Sequence, residues 1–292
     1  MRIGLLGTGP WAEGAHAPAL SRHGDVDFAG VWGRRPEAAK ELADRFGTRT
    51  YDDVDALLAD VDAVAIALPP DIQAALAVRA ARAGRHLLLD KPLASTVGQG
   101  RVVVDAVRAS GVASVVFFTT RFQSVAEAWI AEQAAEKGWF TARAEWLGSV
   151  FTTDSPFGAS PWRREKGALW DVGPHALSVL LPVLGDVRRV AAAAHGPGDT
   201  AHLVLEHADG ASSTLTLSLT APPAAAGAAV ELRGEAGARL LPRSPDGAVP
   251  ALERALDALM TAARTGVPHP CDAAFGLRVT EILASAEALL DG

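Results

Sequence analysis

The chain is short of the residues on which several classes of chemistry depend. Of its 292 residues only Cys271 is a cysteine, which excludes an intrachain disulfide and any multi-cysteine zinc site. Tyr51 is the only tyrosine and has no lysine four positions on, which excludes a tyrosine–lysine proton relay. Basic residues are outnumbered, 27 to 34, for a formal net charge of -7, so the electrostatic footprint of a nucleic-acid binder is missing. No apolar run reads as long enough to span a bilayer. Met1 leads directly into the first strand, so no signal or transit segment is expected, and a cytoplasmic location is the default expectation. His16, His86, His195, His202, His207 and His269 have no partner pattern and are expected to be structural or solvated. The acidic run Asp52, Asp53 and Asp55 suits the start of a helix, and no metal site is expected.

What is present is a globular composition, 49% hydrophobic and 21% charged, long enough for one large or two ordinary domains. Arg2 to Leu6 is a short apolar strand that runs into Gly7-Thr8-Gly9-Pro10-Trp11-Ala12 and then a helical pattern. Strand, G-x-G-x-x-A turn and helix in this order form the dinucleotide-binding fingerprint. Gly7 serves the tight turn, Gly9 admits a pyrophosphate close to the backbone, and Ala12 lets helix and strand lie close. The helix N-terminus offers unpaired N–H groups to phosphate. A second apolar strand, Val26 to Trp32, ends about twenty residues on, where an NAD site places an Asp or Glu on the ribose. Here the place reads Gly33-Arg34-Arg35. Guanidinium groups bind a 2′-phosphate that a carboxylate would repel, so NADP(H) is favoured, with NAD(H) the alternative. The competing reading is that Arg34 and Arg35 are solvated residues before a helix opening at Pro36.

Strand and helix then alternate. Helices are expected at Pro36 to Phe46, Ile72 to Ala83 and Thr96 to Ala109, and strands at Asp62 to Leu68, His86 to Leu89 and, as the sixth, Ala113 to Thr119. The fold class is therefore α/β, with an N-terminal Rossmann-type, doubly wound parallel sheet over residues 1–120. Its ligand-facing tips would be Gly7 to Ala12, Gly33 to Arg35, Leu68 to Pro70, Asp90 to Pro92 and Thr119 to Phe122. From 121 to 292 the pattern predicts an α+β domain for substrate binding and oligomerisation, its final helices free to pack back on the first domain. It comprises a helix from Ser124 to Glu136, a strand from Thr141 to Phe151, a polar loop from Thr152 to Lys166 and one helix from Leu169 to Leu184. A run of mostly antiparallel strands follows from Val187 to Leu241, with Asp209-Gly210 as a hairpin signal. Two helices close the chain, one from Ala251 to Arg264 and one after an N-cap at Asp272.

Asp90-Lys91-Pro92 stands at the end of a strand, where a lysine cation could polarise a carbonyl oxygen. Asp171 and His175 are four apart on one expected helix and would share a face. A histidine there could exchange the proton of a hydroxyl. Alone, each is as readily a turn or a surface pair.

Together, these pieces resemble the Gfo/Idh/MocA oxidoreductases. His16-Ala17-Pro18-Ala19-Leu20 continues the family's opening. Asp90-Lys91-Pro92 resembles its E-K-P motif, and Arg121-Phe122 the pair after the last parallel strand. Trp162-Arg163 followed by Gly167-Ala168-Leu169-Trp170-Asp171-Val172-Gly173-Pro174-His175 resembles its W-R … G-G-G-x-x-x-D-x-G-x-H segment. The resemblance implies hydride exchange between a nicotinamide and a carbinol or carbonyl carbon of a sugar, polyol or related small molecule. It implies Lys91, His175 and Asp171 as catalytic residues. Gly7 to Ala12, Gly33 to Arg35, Leu68, Pro69, Asp90, Lys91 and Arg121 would meet the cofactor. Trp162, Arg163, Lys91, Asp171 and His175 would meet the substrate. Trp11 would line the nicotinamide or pyrophosphate site or only pack on the helix start. Asp90 for Glu, Gln73 where many members have His, and Ser178 where many have Asp are departures that bear on substrate more than cofactor. A non-catalytic dinucleotide sensor, and a lyase or glycosidase holding its nicotinamide tightly, are the alternative readings. A homo-oligomer, dimer or tetramer, is expected through an apolar outer face of the second sheet.

Overall fold

The computed structural model describes residues 1–292. The elements in chain order are β1 (Arg2–Leu6), α1 (Ala17–Arg22), β2 (Asp27–Trp32), α2 (Pro36–Phe46), α3 (Val54–Asp60), β3 (Ala63–Ile66), α4 (Pro70–Arg82), β4 (His86–Asp90), α5 (Val97–Ser110) and β5 (Ser114–Phe117). They continue with α6 (Ser124–Ala135), β6 (Trp139–Leu147), α7 (Pro161–Asp171), α8 (Gly173–Leu184), β7 (Val187–His195), β8 (Ala201–His207), β9 (Ser212–Ser218), β10 (Gly227–Gly234), β11 (Gly237–Leu240), α9 (Ala248–Thr265) and α10 (Ala273–Asp291). The chain forms two compact units, and neither is a single stretch of sequence. The first is Met1–Phe122 with Asp246–Thr280, and the second is Gln123–Pro245 with Glu281–Gly292.

The first unit is built on a five-stranded sheet in the order β2-β1-β3-β4-β5, every pair parallel. Strands β3 and β5 are buried along their whole length, as a parallel sheet covered on both faces requires. Ala113 to Thr119 is thus the fifth strand of the ladder, not the sixth. The place between β2 and β3 in the chain holds only one parallel bridge, Val31 with Thr50. Local signals set the helix starts. Asp53 Oδ1 accepts from Ala56 N at 2.8 Å to open α3, Thr96 Oγ1 from Gln99 N at 3.2 Å to open α5, and Asp272 Oδ1 from Phe275 N at 2.9 Å to open α10. Each satisfies an N–H that the helix itself leaves unpaired. The strand order reverses between β1 and β3, which makes that edge the topological switch point.

The second unit carries a six-stranded sheet, β11-β10-β6-β9-β8-β7, antiparallel except for β6 beside β9. Leu203, Leu205, Leu215, Leu217, Val230 and Leu232 are buried on one face, which α7 and α8 cover. The other face carries Thr141, Arg143, Glu145, Thr214, Thr216, His202, Glu206 and Arg233, by the strand registers. The alternation from Ala211 to Leu219 therefore sends its apolar residues into the core, so it supplies no apolar outer face; Val204 and Leu240 are the large apolar side chains exposed there. A period of two cannot say which face is inward until the helices are placed.

Two further expectations change. The single helix expected from Leu169 to Leu184 is two, α7 and α8, and α7 starts at Pro161, inside the stretch read as loop. Gly167, with φ of 62°, is non-helical within α7, a conformation glycine adopts without cost. Asp171 closes α7 and His175 sits in the first turn of α8, so one regular helix face does not relate them. By length and composition, Pro161–Leu184 is also long and apolar enough to cross a membrane, contrary to the reading of the sequence. It is 83% buried inside the protein, so its apolar surface serves the core.

Candidate functional site

A cavity of about 430 Å³ opens at the switch point of the first unit, lined by Gly7, Thr8, Gly9, Gly33, Arg34, Arg35, Ala67, Leu68 and Pro69. Three chain segments meet there, each leaving the carboxyl end of its strand. Gly7 has φ of 131°, and a Cβ on it would overlap the carbonyl oxygen of Ala67; only glycine permits β1 to turn so close beside β3. Gly9 faces open space with no atom within 4 Å of a Cβ position, which leaves its backbone accessible. A Cβ at Gly33 would stand 2.5 Å from Thr8 Cγ2, so the glycine lets the two loops approach. Such a cradle, with glycines that leave backbone accessible at a helix start, fits a pyrophosphate. The chain goes on as a helical run whose first bond is Glu13 N to Gly9 O at 3.0 Å, with a π turn at Ala12–His16. Pro10 is exposed at its start and Ala12 is fully buried against the sheet.

Arg34 and Arg35 are exposed at the rim, and no carboxylate lies within ion-pair distance of either. Their charge is available to an anion. Ala67, unnamed by the sequence reading, lines the cavity through the short link from β3 to α4; only the register of β3 against β1 could have found it.

Trp11, Asp90, Lys91 and Arg121 do not line this cavity. Trp11 Nε1 donates to Asp90 Oδ1 at 3.1 Å, and the indole stacks on Phe117 at 6.4 Å between centroids. His16, fully buried, approaches the same oxygen through Nε2 at 3.3 Å. It was expected to have no partner, and its partner lies 74 residues away. Gln73 is also fully buried. Its Nε2 donates to the carbonyls of Asp90 at 2.8 Å, Pro92 at 3.1 Å and Leu93 at 3.3 Å, and its Oε1 accepts from Asp90 N at 2.7 Å. The turn carrying Lys91, with a cis Lys91–Pro92 bond, is therefore held by backbone bonds to one amide. The sequence reading saw Gln73 only as a departure. Arg121, on the 3₁₀ turn Thr119–Phe122, lies over the Phe275 ring at 6.0 Å.

In the second unit, Arg163 Nε donates to Asp171 Oδ2 at 2.9 Å. The guanidinium lies over Phe157 at 4.9 Å and over Trp162 at 4.8 Å, an arrangement that suits a planar cation. Asp171 is 5% exposed, and its charge is matched by this partner. His175 stacks on Trp146, with centroids 5.5 Å apart and planes 13° from parallel. Its carbonyl accepts from Ser178 Oγ at 2.7 Å. Trp146 carried no signal in the sequence, being 29 residues from His175 on another element.

A parallel sheet with a glycine-built cavity at its switch point, joined to an α+β unit, defines a protein with an NAD-binding Rossmann fold of the oxidoreductase type. The chain belongs to the Gfo/Idh/MocA oxidoreductase family. Residues 1–118 match the family's NAD-binding Rossmann model and residues 140–239 a model of its C-terminal domain. Over 234 residues it is 30% identical to D-xylose 1-dehydrogenase (NADP(+)) 2 of Haloferax volcanii, a match covering 76% of this chain and 70% of that protein. It is 28% identical over 211 residues to protein YMR315W of Saccharomyces cerevisiae, covering 66% of this chain but 58% of the yeast protein. The crystal structure of GenD2 from gentamicin A biosynthesis, in complex with NAD, matches all of this chain and 94% of that one, with a TM-score of 0.85 at 23% identity.

Proposed function

We propose that the protein is an NAD(P)-dependent dehydrogenase or reductase acting on a CH–OH or carbonyl group of a sugar, polyol or related small molecule, with NADP(H) the favoured cofactor. The observation that carries this reading is the cavity in which Gly7 to Gly9 meet Gly33-Arg34-Arg35. Gly7, Thr8 and Gly9 would hold the pyrophosphate, and Arg34 and Arg35 the 2′-phosphate. A carboxylate at the ribose position would favour NAD(H), and none stands there. The NADP-dependent xylose dehydrogenase among the relatives supports the same preference.

When bound, the nicotinamide supplies the hydride acceptor or donor. The chain's own residues handle the proton and the oxygen. His175 takes the hydroxyl proton in oxidation and returns it in reduction. Lys91, held by the Gln73-braced turn, stabilises the charge that develops on the substrate oxygen. Asp171, paired with Arg163, orients the substrate hydroxyl or the imidazole. A homo-oligomer through the outer face of the second sheet would join polar contacts to the exposed Val204 and Leu240, and light scattering of the purified protein tests it.

The test is a titration with NADPH, NADP, NADH and NAD followed by nicotinamide fluorescence, then a screen of sugars, polyols and small ketones. Tight NADPH with weak NADH binding and turnover of a polyhydroxylated substrate is the expected result. Preference for NADH overturns the 2′-phosphate assignment alone. Binding without turnover supports the sensor, and product formation without net cofactor change supports the lyase or glycosidase.

A further inference from the structure

We propose that Trp146 is a positioning residue that fixes the plane of the His175 imidazole, a proposal that rests on the reading of His175 as the proton-transfer residue. The argument starts from register. On β6, Ala142 and Ala144 are buried, so position 146 faces the same, helix-covered side. Trp146 pairs with Ala228 on β10 and Leu217 on β9, so its backbone is held from both sides. That side is packed by α8, whose first turn carries His175. The indole therefore reaches the imidazole from a strand paired on both sides.

The backbone of His175 is held separately. Its N–H donates to Val172 O at 3.1 Å, and its carbonyl accepts from Ser178 Oγ at 2.7 Å. What the backbone leaves loose is the terminal torsion of the ring, which is broad for histidine. A near-parallel ring at 5.5 Å and 13° lies in the range of offset stacking. Turning the imidazole about its Cβ–Cγ bond would lose that contact. Proton transfer requires the accepting nitrogen in line with the reacting hydroxyl, so a single ring orientation has direct consequence for rate.

The experiment combines a structural and a kinetic readout on the full-length protein. Histidine ring resonances are recorded on protein labelled at its eight histidines, with His175 assigned by His175→Gln. Stacking predicts that the His175 ring C–H signals lie upfield of their ordinary position in the wild type, move back in Trp146→Leu, and stay largely displaced in Trp146→Phe. On the substrate found in the screen, Trp146→Leu is expected to lower kcat by about three- to tenfold with cofactor KM unchanged. Trp146→Phe is expected to recover most of the loss. Undisplaced His175 signals in the wild type overturn the proposal without any variant at position 146 having to fold. Unchanged kcat in Trp146→Leu, or an equal loss in Trp146→Phe and Trp146→Leu, overturns it as well. A wild type that turns over no polyhydroxylated substrate removes the functional reading itself and the positioning role with it, an outcome seen before any variant is made.

Discussion

The two units place chemistry in different ways. In the first, three glycines shape the cavity: Gly7, Gly9 and Gly33 contribute by having no side chain, and their loops converge because the parallel strands all end on one edge of the sheet. In the second, the candidate groups are side chains packed on other side chains, Asp171 paired with Arg163 eight residues away and His175 stacked on Trp146 from another element. A ligand held by backbone at a switch point can be read from a short motif. A proton-transfer group aimed by packing cannot, because its aim belongs to contacts that form only when sheet and helices meet.

The sharpest way to break this contrast is to remove side chains alone. His175→Ala and Lys91→Ala are each expected to lower kcat by about 10²- to 10⁴-fold while NADPH affinity, measured by fluorescence titration, stays near wild type. A parallel loss of cofactor binding would mean that the two kinds of site are not separable. The complementary change adds a side chain where the first unit needs none. Gly7→Val is expected to abolish cofactor binding and to cost about 2–4 kcal/mol in thermal or denaturant unfolding, because the new Cβ meets the Ala67 carbonyl at a φ of 131°. Retained NADPH binding in that variant would refute the cradle.

Arg34→Ala combined with Arg35→Ala sharpens the cofactor assignment. KM for NADPH is expected to rise by about 10- to 100-fold, the loss of charge-assisted hydrogen bonds, with KM for NADH little changed. A fall in both affinities together would place the arginines elsewhere in the cofactor's path. Gln73→Leu leaves the Asp90 N–H and three carbonyls without their amide and is expected to cost about 1–3 kcal/mol, measurable by calorimetry.

The smallest effect is in pH. Burial lowers His207 of the second unit, and His86 and His269 of the first, below the ordinary value of 6.5. The unfolded chain then takes up protons before the folded one. The contribution of these rings is fully present above about pH 6.5 and is lost as pH falls from there toward their depressed folded values. His207 is bonded to Gly185 O and Ser213 Oγ. Melting temperature should drop on acidification from pH 7 to 5, and His207→Gln should flatten that dependence.

Much of this arrangement was legible because it is local. The helix Pro36–Phe46, the helix start at the acidic run Asp52 to Asp55, the N-cap at Asp272 and the antiparallel strands after Val187 follow from residue types a few positions apart. So do eight of the nine residues lining the cavity. The break between α7 and α8 was missed because Val172, where it falls, is an apolar residue in a run that carries no stop signal before Gly173. That the apolar residues of Ala211 to Leu219 point inward was missed because alternation marks two faces without saying which one the helices cover.

The sequence by itself determined the order of strands and helices, the glycine turn with its two arginines, and the family to which the chain belongs. Each of these is written in short-range patterns of size, charge and turn chemistry. The tertiary structure alone decided that Gln73 braces the Lys91 turn, that His16 and Trp11 share the Asp90 carboxylate, that Trp146 stacks on His175 and that Arg163 pairs with Asp171. Apart from Arg163 and Asp171, which face each other across one helix, those pairs lie between 17 and 79 residues apart. No local pattern records such contacts, because they arise from sheet register and helix packing.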